Sequence, residues 1–299
     1  MTDYLISIII STYNSEKFFR EKLIDLTEQT IFNKCEIIII NSGSRENENL
    51  IAEEFLVKYK NIKYIRTKER ESIYQAWNRG VKAATGKYIT NSNTDDRLRN
   101  DAFEILVNYL EEHPEIFMIY ADQYYSYAIN EKFDAIKNPI KMLRPDFSYI
   151  HLLYRYILGS QPLWRNALHT NENIFFDEKY EVAGDYDFAC RVAETHSIYH
   201  LKETLGSYYL SSGNKNKEYE NKSRTLAETL EIHDIYRKRF WRRLSVRMRN
   251  RILFKIRMIE IIPNILYRLI NKFLKMYLPS KHLPPQSYYS ELKAKCYEK

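Results

Sequence analysis

Short apolar runs alternate with amphipathic segments over residues 5–122, and this alternation most constrains the fold of the chain. Near-continuous apolar runs of strand length occupy residues 5–10 and 36–40. Such runs are typical of parallel strands that are covered on both faces. Each run is followed by a segment with helical spacing of apolar residues, at 16–29 and 47–59. The alternation predicts right-handed βαβ units around a mostly parallel sheet with flanking helices, which is an α/β fold.

Polar turns follow three of the predicted strands. These turns contain Thr12, Asn41 and Asp95. The carboxyl ends of parallel strands lie at one edge of a sheet, and open α/β sheets bind their ligands at that edge. We therefore expect the three turns to gather along one edge and to form the functional site.

Two adjacent carboxylates, Asp95 and Asp96, follow the short apolar run at 88–90. Side by side they repel each other, and both cannot be buried without a cation. A hard divalent ion such as Mg²⁺ or Mn²⁺ takes oxygen ligands, usually one or two carboxylates together with substrate phosphates. The alternative is a helix N-terminus, because Asp and Asn favour the N-cap and acidic residues suit the first turn. The residues of the turn alone leave both interpretations open.

The signals weaken in the second half of the chain. Residues 147–158 are predicted to be helical, and residues 161–165 are predicted to form a compact turn of aromatic and basic residues. Residues 184–191 have the pattern of a helix start with Asp185 in the N-cap position. One or two short strands are expected at 198–209.

The net charge of +7 is concentrated in one segment. Residues 237–257 contain ten Lys or Arg and no Asp or Glu, so removing them turns the net charge of +7 into −3. Trp241, Leu244 and Ile252 belong to an apolar stripe at helical spacing in the same segment. A basic face opposite an apolar face is typical of helices on a membrane surface, where each basic residue contributes about 1 kcal/mol.

Two alternatives for the basic segment stay open, a helix packed on the rest of the chain and a dimer contact. Nucleic acid is not expected as a partner, because no base-reading module accompanies the charge.

Three widely separated cysteines, Cys35, Cys190 and Cys296, form no CxxC pair. This spacing argues against a disulfide framework or a zinc site and is typical of a reducing cytoplasm. The first residues lack the basic and apolar regions of a signal peptide. No apolar run approaches the roughly 18 residues of a membrane-spanning helix. We therefore expect a cytoplasmic protein that binds the inner face of the membrane peripherally through its basic segment.

Seven short motifs occur along residues 5–210. In sequence order they are Ile10-Ser-Thr-Tyr-Asn14, Asn41-Ser-Gly-Ser44, Ile73-Tyr-Gln-Ala-Trp-Asn-Arg-Gly80, Ala84-Thr-Gly-Lys-Tyr88, Asn93-Thr-Asp-Asp96, Gln161-Pro-Leu-Trp-Arg165 and Gly184-Asp-Tyr-Asp187. One motif would carry little weight. Seven in this order closely resemble family 2 glycosyltransferases of the GT-A fold, of the type that builds bacterial cell-surface polysaccharides. The resemblance implies the Rossmann-like sheet of that fold, and the spacing of apolar residues beyond residue 240 predicts C-terminal amphipathic helices.

The resemblance, together with the change in composition toward the C-terminus, predicts a division of the chain. Residues 1–215 would form the GT-A catalytic domain, with the nucleotide-sugar half at 1–122 and the acceptor half at 123–215. Residues 216–299 would form a helical C-terminal region that is basic and amphipathic. A long helix predicted at 217–239 would open this region.

The resemblance assigns most of the polar edge to the sugar donor, a nucleotide-diphosphate sugar with a UDP-sugar favoured. The implied donor-binding residues are Thr12, Tyr13, Asn14, Asn41, Ser42, Asn78, Asn93 and Asp95. Asn41 and Ser42 stand where the family often has two aspartates, so the identity of the base stays open. Asn78 would brace the donor from its helix, and the alternative is that it only satisfies nearby backbone groups.

Asn93-Thr94-Asp95 matches the family's metal-binding Asp-x-Asp motif, with Asn at the first position. The resemblance therefore implies Mn²⁺ or Mg²⁺ as the cofactor, with Asp95 and Asp96 as its ligands. A metal held there would act as a Lewis acid that neutralises the leaving diphosphate. Loss of one carboxylate is expected to weaken the affinity for the metal.

Asp185 matches the family's general base, and the usual Glu-Asp pair reads Gly184-Asp185 here. A base takes the proton of the acceptor hydroxyl, which contributes roughly 10²–10⁴-fold in rate. The family inverts the anomeric centre in a single displacement, so no covalent nucleophile is required. Asp187 is the fallback base, and the alternative role for Asp185 is a helix cap only.

Gln161, Trp164 and Arg165 are the implied acceptor-binding residues. An aromatic face packs on the apolar face of a sugar, and Arg binds acidic groups or phosphates. The alternative for Trp164 is a place in the core.

We expect an inverting glycosyltransferase that acts on a glycan or glycolipid acceptor at an anionic membrane surface. The rival hypotheses are a non-catalytic relative that binds nucleotide sugars and an α/β module with a lipid- or RNA-binding tail. The sequence lacks the GxxxxGK[ST] pattern, which removes the commonest NTPase interpretation.

Overall fold

The computed structural model describes residues 4–210 and 221–245. The strands are β1 Ile6–Thr12, β2 Cys35–Asn41, β3 Ile62–Arg66, β4 Tyr88–Asn91, β5 Arg97–Leu98, β6 Ile116–Ser126, β7 Ile140–Met142, β8 Leu163–Arg165 and β9 Ser197–Tyr209. The helices are α1 Glu16–Thr27, α2 Glu48–Lys58, α3 Ile73–Ala83, α4 Ala102–Glu112, α5 Tyr149–Leu152, α6 Ala167–Thr170, α7 Gly184–Ala193 and α8 Lys222–Arg243.

The strands form one continuous mixed sheet. Its order is β3-β2-β1-β4-β8-β6-β9-β5, and β7 pairs with β6 outside this path. The four strands from β3 to β4 are parallel, as the alternation predicts. β8 runs antiparallel to both β4 and β6, so the sheet is mixed beyond β4. β6 crosses residue 122, and the two expected halves of the domain therefore share one sheet.

Successive residues of β1 face opposite sides of the sheet. Ile8 and Ile10 pack in one apolar cluster with Leu23 of α1. Ile9 packs in a second cluster with Trp77 of α3. Both faces of the strand are covered, which explains why its sequence is apolar without alternation.

The second half departs from the sequence prediction in three places. Within residues 147–158, only Tyr149–Leu152 is α-helical, and the chain then leaves the helix so that Ile157 and Leu158 also reach the second core cluster. Residues 163–165 form β8 instead of a turn, because they fill the gap between β4 and β6. α7 has Ala183 as its N-cap, so Asp185 is a residue of the first turn and not the cap.

The C-terminal helix α8 packs on the sheet domain. Ile232 and Tyr236 are buried in the second core cluster. Trp241 is only 6% exposed, so this residue of the predicted stripe is buried in the protein and is not available for a membrane. The remainder of the basic segment, from residue 246 onward, lies outside the described residues.

Candidate active site

The turns that follow β1, β2 and β4 meet at one edge of the sheet, as predicted. Thr12 and Asn41 are register partners at the ends of β1 and β2. The N–H of Ser42 donates to the Thr12 carbonyl over 3.0 Å, and the N–H of Ser92 donates to the Ile9 carbonyl over 2.8 Å. The three turns therefore form one continuous polar surface.

A buried carboxylate that the sequence analysis missed, Glu48, joins two of these turns. It accepts hydrogen bonds from the Ser15 N–H over 2.8 Å and from the Ser44 hydroxyl over 2.7 Å. Its third partner is the Thr12 hydroxyl, at 3.3 Å. The Thr12 side chain is 1% exposed. Thr12 thus supports the turn from inside, and its side chain does not line the nucleotide pocket as expected.

Asn41 is also turned inward. Its amide donates to the Tyr64 hydroxyl over 2.9 Å and accepts from the Ser44 N–H over 2.8 Å. The side chain is fully buried and both of its polar ends are engaged. The expected contact of Asn41 with the nucleotide is therefore corrected to a structural role. Asn14 differs, because it is exposed at the edge with a positive φ of 50°.

Ser42 holds a neighbouring loop against the edge. Its hydroxyl donates to the Glu71 carbonyl over 2.9 Å and accepts from the Glu71 N–H. Gly43, at φ +64°, allows this approach, because a Cβ there would lie 3.1 Å from the Glu69 carbonyl carbon. The same loop places the Arg70 guanidinium 4.3 Å from the ring centre of Tyr13. Tyr13 and Arg70 are thus the flat groups available to a nucleotide base.

Arg70 was missed by the sequence analysis, although a signal was present. It lies in the charged run that follows β3. That strand ends at the same edge as the others, because Arg66 is the register partner of Asn41.

The Asp96 carboxylate is buried and is hydrogen-bonded inside the fold. It is 1% exposed and accepts from the Tyr209 N–H over 3.1 Å and from the Asn93 amide over 3.3 Å. The Ser160 hydroxyl is a further partner, and burial raises the pKa of Asp96. The expectation that Asp96 is a second metal ligand is therefore not supported, because its oxygens already join the turn to β9.

Two buried cations lie beneath the acidic turn. Lys22 of α1 is 0% exposed, and its ammonium donates to the Asp96 carbonyl over 3.0 Å. Arg97 donates to the same carbonyl over 3.0 Å. The sequence analysis predicted that two adjacent carboxylates would need a cation, and these side chains supply part of that charge from within the fold.

Asp95 remains as the candidate metal ligand. Burial and the adjacent charge of Asp96 raise its pKa to about 7. A carboxylate whose pKa is raised by burial and by an adjacent acid is stabilised in its charged form by a divalent ion. No group of three His, Cys, Asp or Glu residues in the described part of the chain could hold a metal by itself. The arrangement fits Mg²⁺ or Mn²⁺ bound by one carboxylate and completed by a donor diphosphate.

Asp185 lies in the first turn of α7 and is partly exposed. Its Oδ1 accepts from the Tyr186 N–H over 2.8 Å and from the Tyr74 hydroxyl over 3.4 Å. Tyr74 is a buried residue of α3, and its hydroxyl also donates to the Val182 carbonyl over 2.7 Å. A Cβ on Gly184 would come within 2.7 Å of the Tyr74 ring. Only glycine at position 184 therefore lets Asp185 approach α3 in this way.

Glu228 of α8 fastens the segment that carries Asp185. Its carboxylate accepts hydrogen bonds from three successive backbone N–H groups, those of Glu181 over 3.0 Å and of Val182 and Ala183 over 2.9 Å each. Glu228 is 8% exposed. The predicted C-terminal helix thus contributes directly to the geometry of the site, which the sequence analysis did not foresee.

The fallback base, Asp187, is not available at the edge. It is 4% exposed, accepts from the Tyr236 hydroxyl over 2.7 Å and pairs with Arg191 over 2.9 Å. Asp187 therefore joins α7 to α8, and it is corrected to a structural residue.

The Asn78 amide is saturated by a loop. It donates to the Phe176 carbonyl and to the Glu178 carboxylate over 2.9 Å each, and its oxygen accepts from the Phe176 N–H over 2.9 Å. The alternative considered for Asn78, satisfaction of nearby groups, therefore describes its role.

Two of the three expected acceptor residues are also structural. Trp164 is 1% exposed in the second core cluster and donates from its indole to His169 over 2.8 Å. Arg165 pairs with Tyr88 at the start of β4, so it lies at the opposite end of the sheet from the acidic turn. Its guanidinium donates to the Ile116 carbonyl over 2.8 Å and to the His113 carbonyl over 3.1 Å.

Gln161 is the expected acceptor residue that does lie at the edge. Its side-chain oxygen accepts from the Ser92 hydroxyl over 3.4 Å. Its amide nitrogen is buried without a partner among the described residues. The segment that leads to Gln161 begins near Asp185, because the Tyr156 ring lies 5.9 Å from the ring of Tyr186. This segment connects the two acidic centres of the site.

A family model described as glycosyl transferase family 2 matches residues 7–170, which is more than half of the chain. The chain belongs to glycosyl transferase family 2. This family 2 glycosyltransferase is 25% identical over 241 residues to an uncharacterized glycosyltransferase of Haemophilus influenzae, covering 77% of this chain and 73% of that protein. It is 27% identical over 191 residues to the minor teichoic acid biosynthesis protein GgaB of Bacillus subtilis, covering 61% of this chain but only 20% of that protein.

Solved structures share the fold of this glycosyltransferase. Staphylococcus aureus TarS 1–349 in complex with UDP superposes with a TM-score of 0.57 at 18% identity, over 98% of this chain and 89% of that one. A mannosyltransferase of Pyrobaculum calidifontis in complex with GDP-mannose and Mn²⁺ gives a TM-score of 0.56 at 13% identity, over 98% and 87%. The expected GT-A fold is thereby confirmed.

No helix within 4–210 or 221–245 combines the length and the hydrophobicity needed to cross a bilayer.

Proposed function

We propose that this glycosyltransferase moves a sugar from a nucleotide-diphosphate sugar to a hydroxyl of a glycan or lipid-linked acceptor, with inversion and with Asp185 as the general base. The observation that carries the proposal is the placement of Asp185. It is partly exposed and is held by Tyr74, whereas the nearby Asp187 is buried in contacts with α8. Of the two acids in this motif, only Asp185 can take a proton from an acceptor.

The donor side is assigned to Tyr13, Asn14, Arg70, Asn93 and Asp95. Tyr13 and Arg70 offer flat faces to a base, and stacking on such faces does not depend on the aspartates that the family often carries. A uridine nucleotide is favoured, because similarly folded structures of TarS hold UDP and UDP-GlcNAc. Asp95 would hold Mn²⁺ or Mg²⁺, which supplies charge neutralisation for the leaving diphosphate.

The proposed reaction is a single displacement at the anomeric carbon, with Asp185 as the base. The acceptor oxygen forms a bond to the anomeric carbon while the bond from that carbon to the diphosphate oxygen breaks. The acceptor proton passes to a carboxylate oxygen of Asp185, and the nucleoside diphosphate leaves. The Tyr186 N–H donates to Oδ1, and the Tyr74 hydroxyl lies 3.4 Å from the same oxygen, so the two groups orient the carboxylate.

The acceptor is assigned to a bacterial surface polysaccharide or glycolipid. The similarity to GgaB, a teichoic acid biosynthesis protein, supports this class. Gln161 lies at the edge beside Ser92 and is the proposed acceptor contact that the sequence analysis identified.

The basic segment is proposed to bind the inner, anionic face of the membrane. Arg242 is exposed, while Arg237 and Trp241 are buried on the domain. A truncation should therefore end at Ser245, because a chain cut before Trp241 would lose the packing of that residue on the domain. The protein that ends at Ser245 should lose binding to anionic vesicles and retain donor turnover. Equal binding of both proteins to anionic vesicles would contradict the membrane role.

A panel of nucleotide sugars with Mn²⁺ tests the proposed function. UDP-GlcNAc, UDP-glucose, UDP-galactose and GDP-mannose are each incubated with the protein, and release of the nucleoside diphosphate is measured. The anomer that forms first is read by proton NMR before it mutarotates. A β-sugar released from an α-linked donor is expected. Retention would contradict the single displacement, and no turnover with any donor would contradict the proposed reaction.

A further inference from the structure

Arg144 is linked through neighbouring side chains to both acidic centres of the site, at Asp95 and at Asp185. Arg144 follows β7, and one nitrogen of its guanidinium donates to the Gln123 side-chain oxygen over 3.1 Å. Its Nε is buried without a hydrogen-bond partner among the described residues. No carboxylate in that part of the chain lies within ion-pair distance of this guanidinium. Arg144 is therefore a partly buried cation without an ion-pair partner in the described part of the chain, and the charge of Asp122 acts on it from a distance.

An acidic side chain on the paired strand β6, that of Asp122, already accepts hydrogen bonds from other groups. Asp122 accepts from the backbone N–H of Arg144 over 2.7 Å and from His200 over 2.9 Å with the same oxygen. Burial lowers the pKa of Arg144 and the charge of Arg155 lowers it further, while Asp122 and two nearby tyrosines offset part of the shift. Leaving such a cation unpaired in the apo protein costs free energy that a bound anion would recover.

A glycine makes room for the guanidinium of Arg144. Gly159 has φ +90°, and a Cβ there would lie 3.1 Å from both Nε and one Nη of Arg144. The guanidinium thus packs on the backbone of residue 159, where only glycine leaves enough space. The Gln123 amide also donates to the Ser160 hydroxyl over 2.7 Å, which links Arg144 to the segment at the edge.

Indirect contacts connect Arg144 to both acidic centres of the proposed site. Ser160 is a hydrogen-bond partner of Asp96, next to the candidate metal ligand. On the other side, the Tyr156 hydroxyl donates to the Gly159 carbonyl over 3.0 Å, and its ring lies against Tyr186, the neighbour of Asp185. An anion on Arg144 would accordingly belong to a molecule that enters between these two centres.

We propose that Arg144 binds a phosphate group of the acceptor. A guanidinium presents planar paired donors that match phosphate oxygens, and a free Nε–H beside an Nη is such a pair. This inference rests on the proposed function and narrows the acceptor to phosphate-bearing molecules, such as a polyol-phosphate chain or a lipid-linked phosphate. The second source of the same chemistry is the donor diphosphate, and the experiment separates the two.

The test measures binding of glycerol 1-phosphate, with glycerol as the neutral probe, in the presence of Mn²⁺ and saturating UDP. The wild type is compared with Arg144→Met, with Arg144→Lys and with Arg20→Met, an exposed arginine paired with Glu54 on the helical surface. Arg144→Met is expected to weaken glycerol 1-phosphate binding by about 10- to 100-fold, the effect of losing charge-assisted hydrogen bonds. Arg144→Lys is expected to recover part of the affinity, because it keeps the charge but not the paired geometry. Arg20→Met should bind as the wild type does.

A second variant keeps the test decisive if Arg144→Met does not fold. Gln123→Glu is nearly isosteric and places a carboxylate on the guanidinium, so it should neutralise Arg144 and weaken phosphate binding to a similar extent. Unchanged affinity for glycerol 1-phosphate in folded Arg144→Met, or in Gln123→Glu, would overturn the proposal. Loss of UDP affinity in Arg144→Met would overturn it in favour of the donor diphosphate. Failure of the wild type to bind UDP would instead contradict the proposed function itself.

Discussion

The Glu228 carboxylate accepts the N–H of Ala183 over 2.9 Å, and Ala183 is the N-cap of the helix that carries Asp185. The two residues are 45 positions apart in sequence. A helix assigned from the sequence to a separate C-terminal region is thus a structural part of the site. Glu228 acts through the backbone of residues 181–183 and is a positioning residue for Asp185.

Glu228→Gln should lower turnover several-fold with an unchanged KM for the donor. The neutral amide can accept fewer of the three N–H groups, so the start of α7 is expected to loosen. The free energy of unfolding should fall by about 1.5–3 kcal/mol, the usual contribution of hydrogen bonds to a charged group. The control is Glu231→Gln on the same helix, where the exposed carboxylate pairs with Lys179 over 3.1 Å. Equal kinetics in the two variants would show that α8 does not position the base.

Asp95→Asn and Asp96→Asn should fail in different ways. Asp95→Asn is expected to lose Mn²⁺-dependent turnover while it keeps its melting temperature, because its carboxylate is the candidate ligand. Asp96→Asn should keep metal dependence and lose stability, because its buried oxygens accept the Tyr209 N–H and the Asn93 amide. Titration with Mn²⁺ and thermal melts distinguish the two. Full activity of the wild type in excess EDTA would contradict the metal assignment.

The parallel part of the sheet could be predicted from sequence because burial on both faces leaves a visible signature in β1 and β2. β8 could not be predicted, because three residues are too few to show the alternation of a strand. The pattern at 147–158 is apolar enough for a helix, but packing of Ile157 and Leu158 in the core overrides helical propensity.

Motifs located the site more reliably than they oriented its side chains. Asp95 stays the candidate metal ligand and Asp185 the proposed base. Asp96 is turned inward by the N–H of Tyr209, 113 residues away in sequence, and no local pattern reports such a contact. The orientations of the Trp164 and Arg165 side chains could not be predicted for the same reason, because the direction of β8 is set by its neighbours β4 and β6.

Arg70→Ala should raise the KM for the donor about 3- to 10-fold and leave kcat unchanged. The guanidinium lies 4.3 Å from the Tyr13 ring centre, and loss of cation–π and stacking contacts costs about 0.5–1 kcal/mol at exposed sites and more when the site is covered. The control is Lys87→Ala, an exposed lysine that pairs with Glu111 over 2.7 Å at the far end of β4. A loss of kcat without a change in KM would place Arg70 at the reacting atoms and not at the base.

Acidification should destabilise the protein through His169. Burial lowers the pKa of this imidazole from 6.5 to about 4 in the fold. Below pH 6.5 the unfolded chain therefore binds a proton at His169 that the folded chain does not bind. The contribution of His169 to the free energy of unfolding is complete above pH 6.5 and is lost as the pH falls toward 4. The Trp164 indole N–H needs the unprotonated Nε2 of His169 as its acceptor.

Urea unfolding at pH 7.5 and pH 5.0 measures this effect. The wild type should lose about 2 kcal/mol more between the two values than His169→Gln, in which a neutral amide replaces the imidazole. Parallel losses in the two proteins would show that His169 does not titrate in this way.

The central claim is that Asp185 is the general base, and nucleoside diphosphate release by Asp185→Asn tests it most directly. The variant is compared with the wild type and with Asp187→Asn, using the donor that the wild type turns over. We expect Asp185→Asn to bind UDP normally, to melt as the wild type does and to turn over roughly 10²-fold more slowly or less. Asp187→Asn should be less stable, because it loses its pair with Arg191, but should retain turnover per folded molecule. Near-normal turnover by Asp185→Asn, together with an inactive but folded Asp187→Asn, would contradict the account.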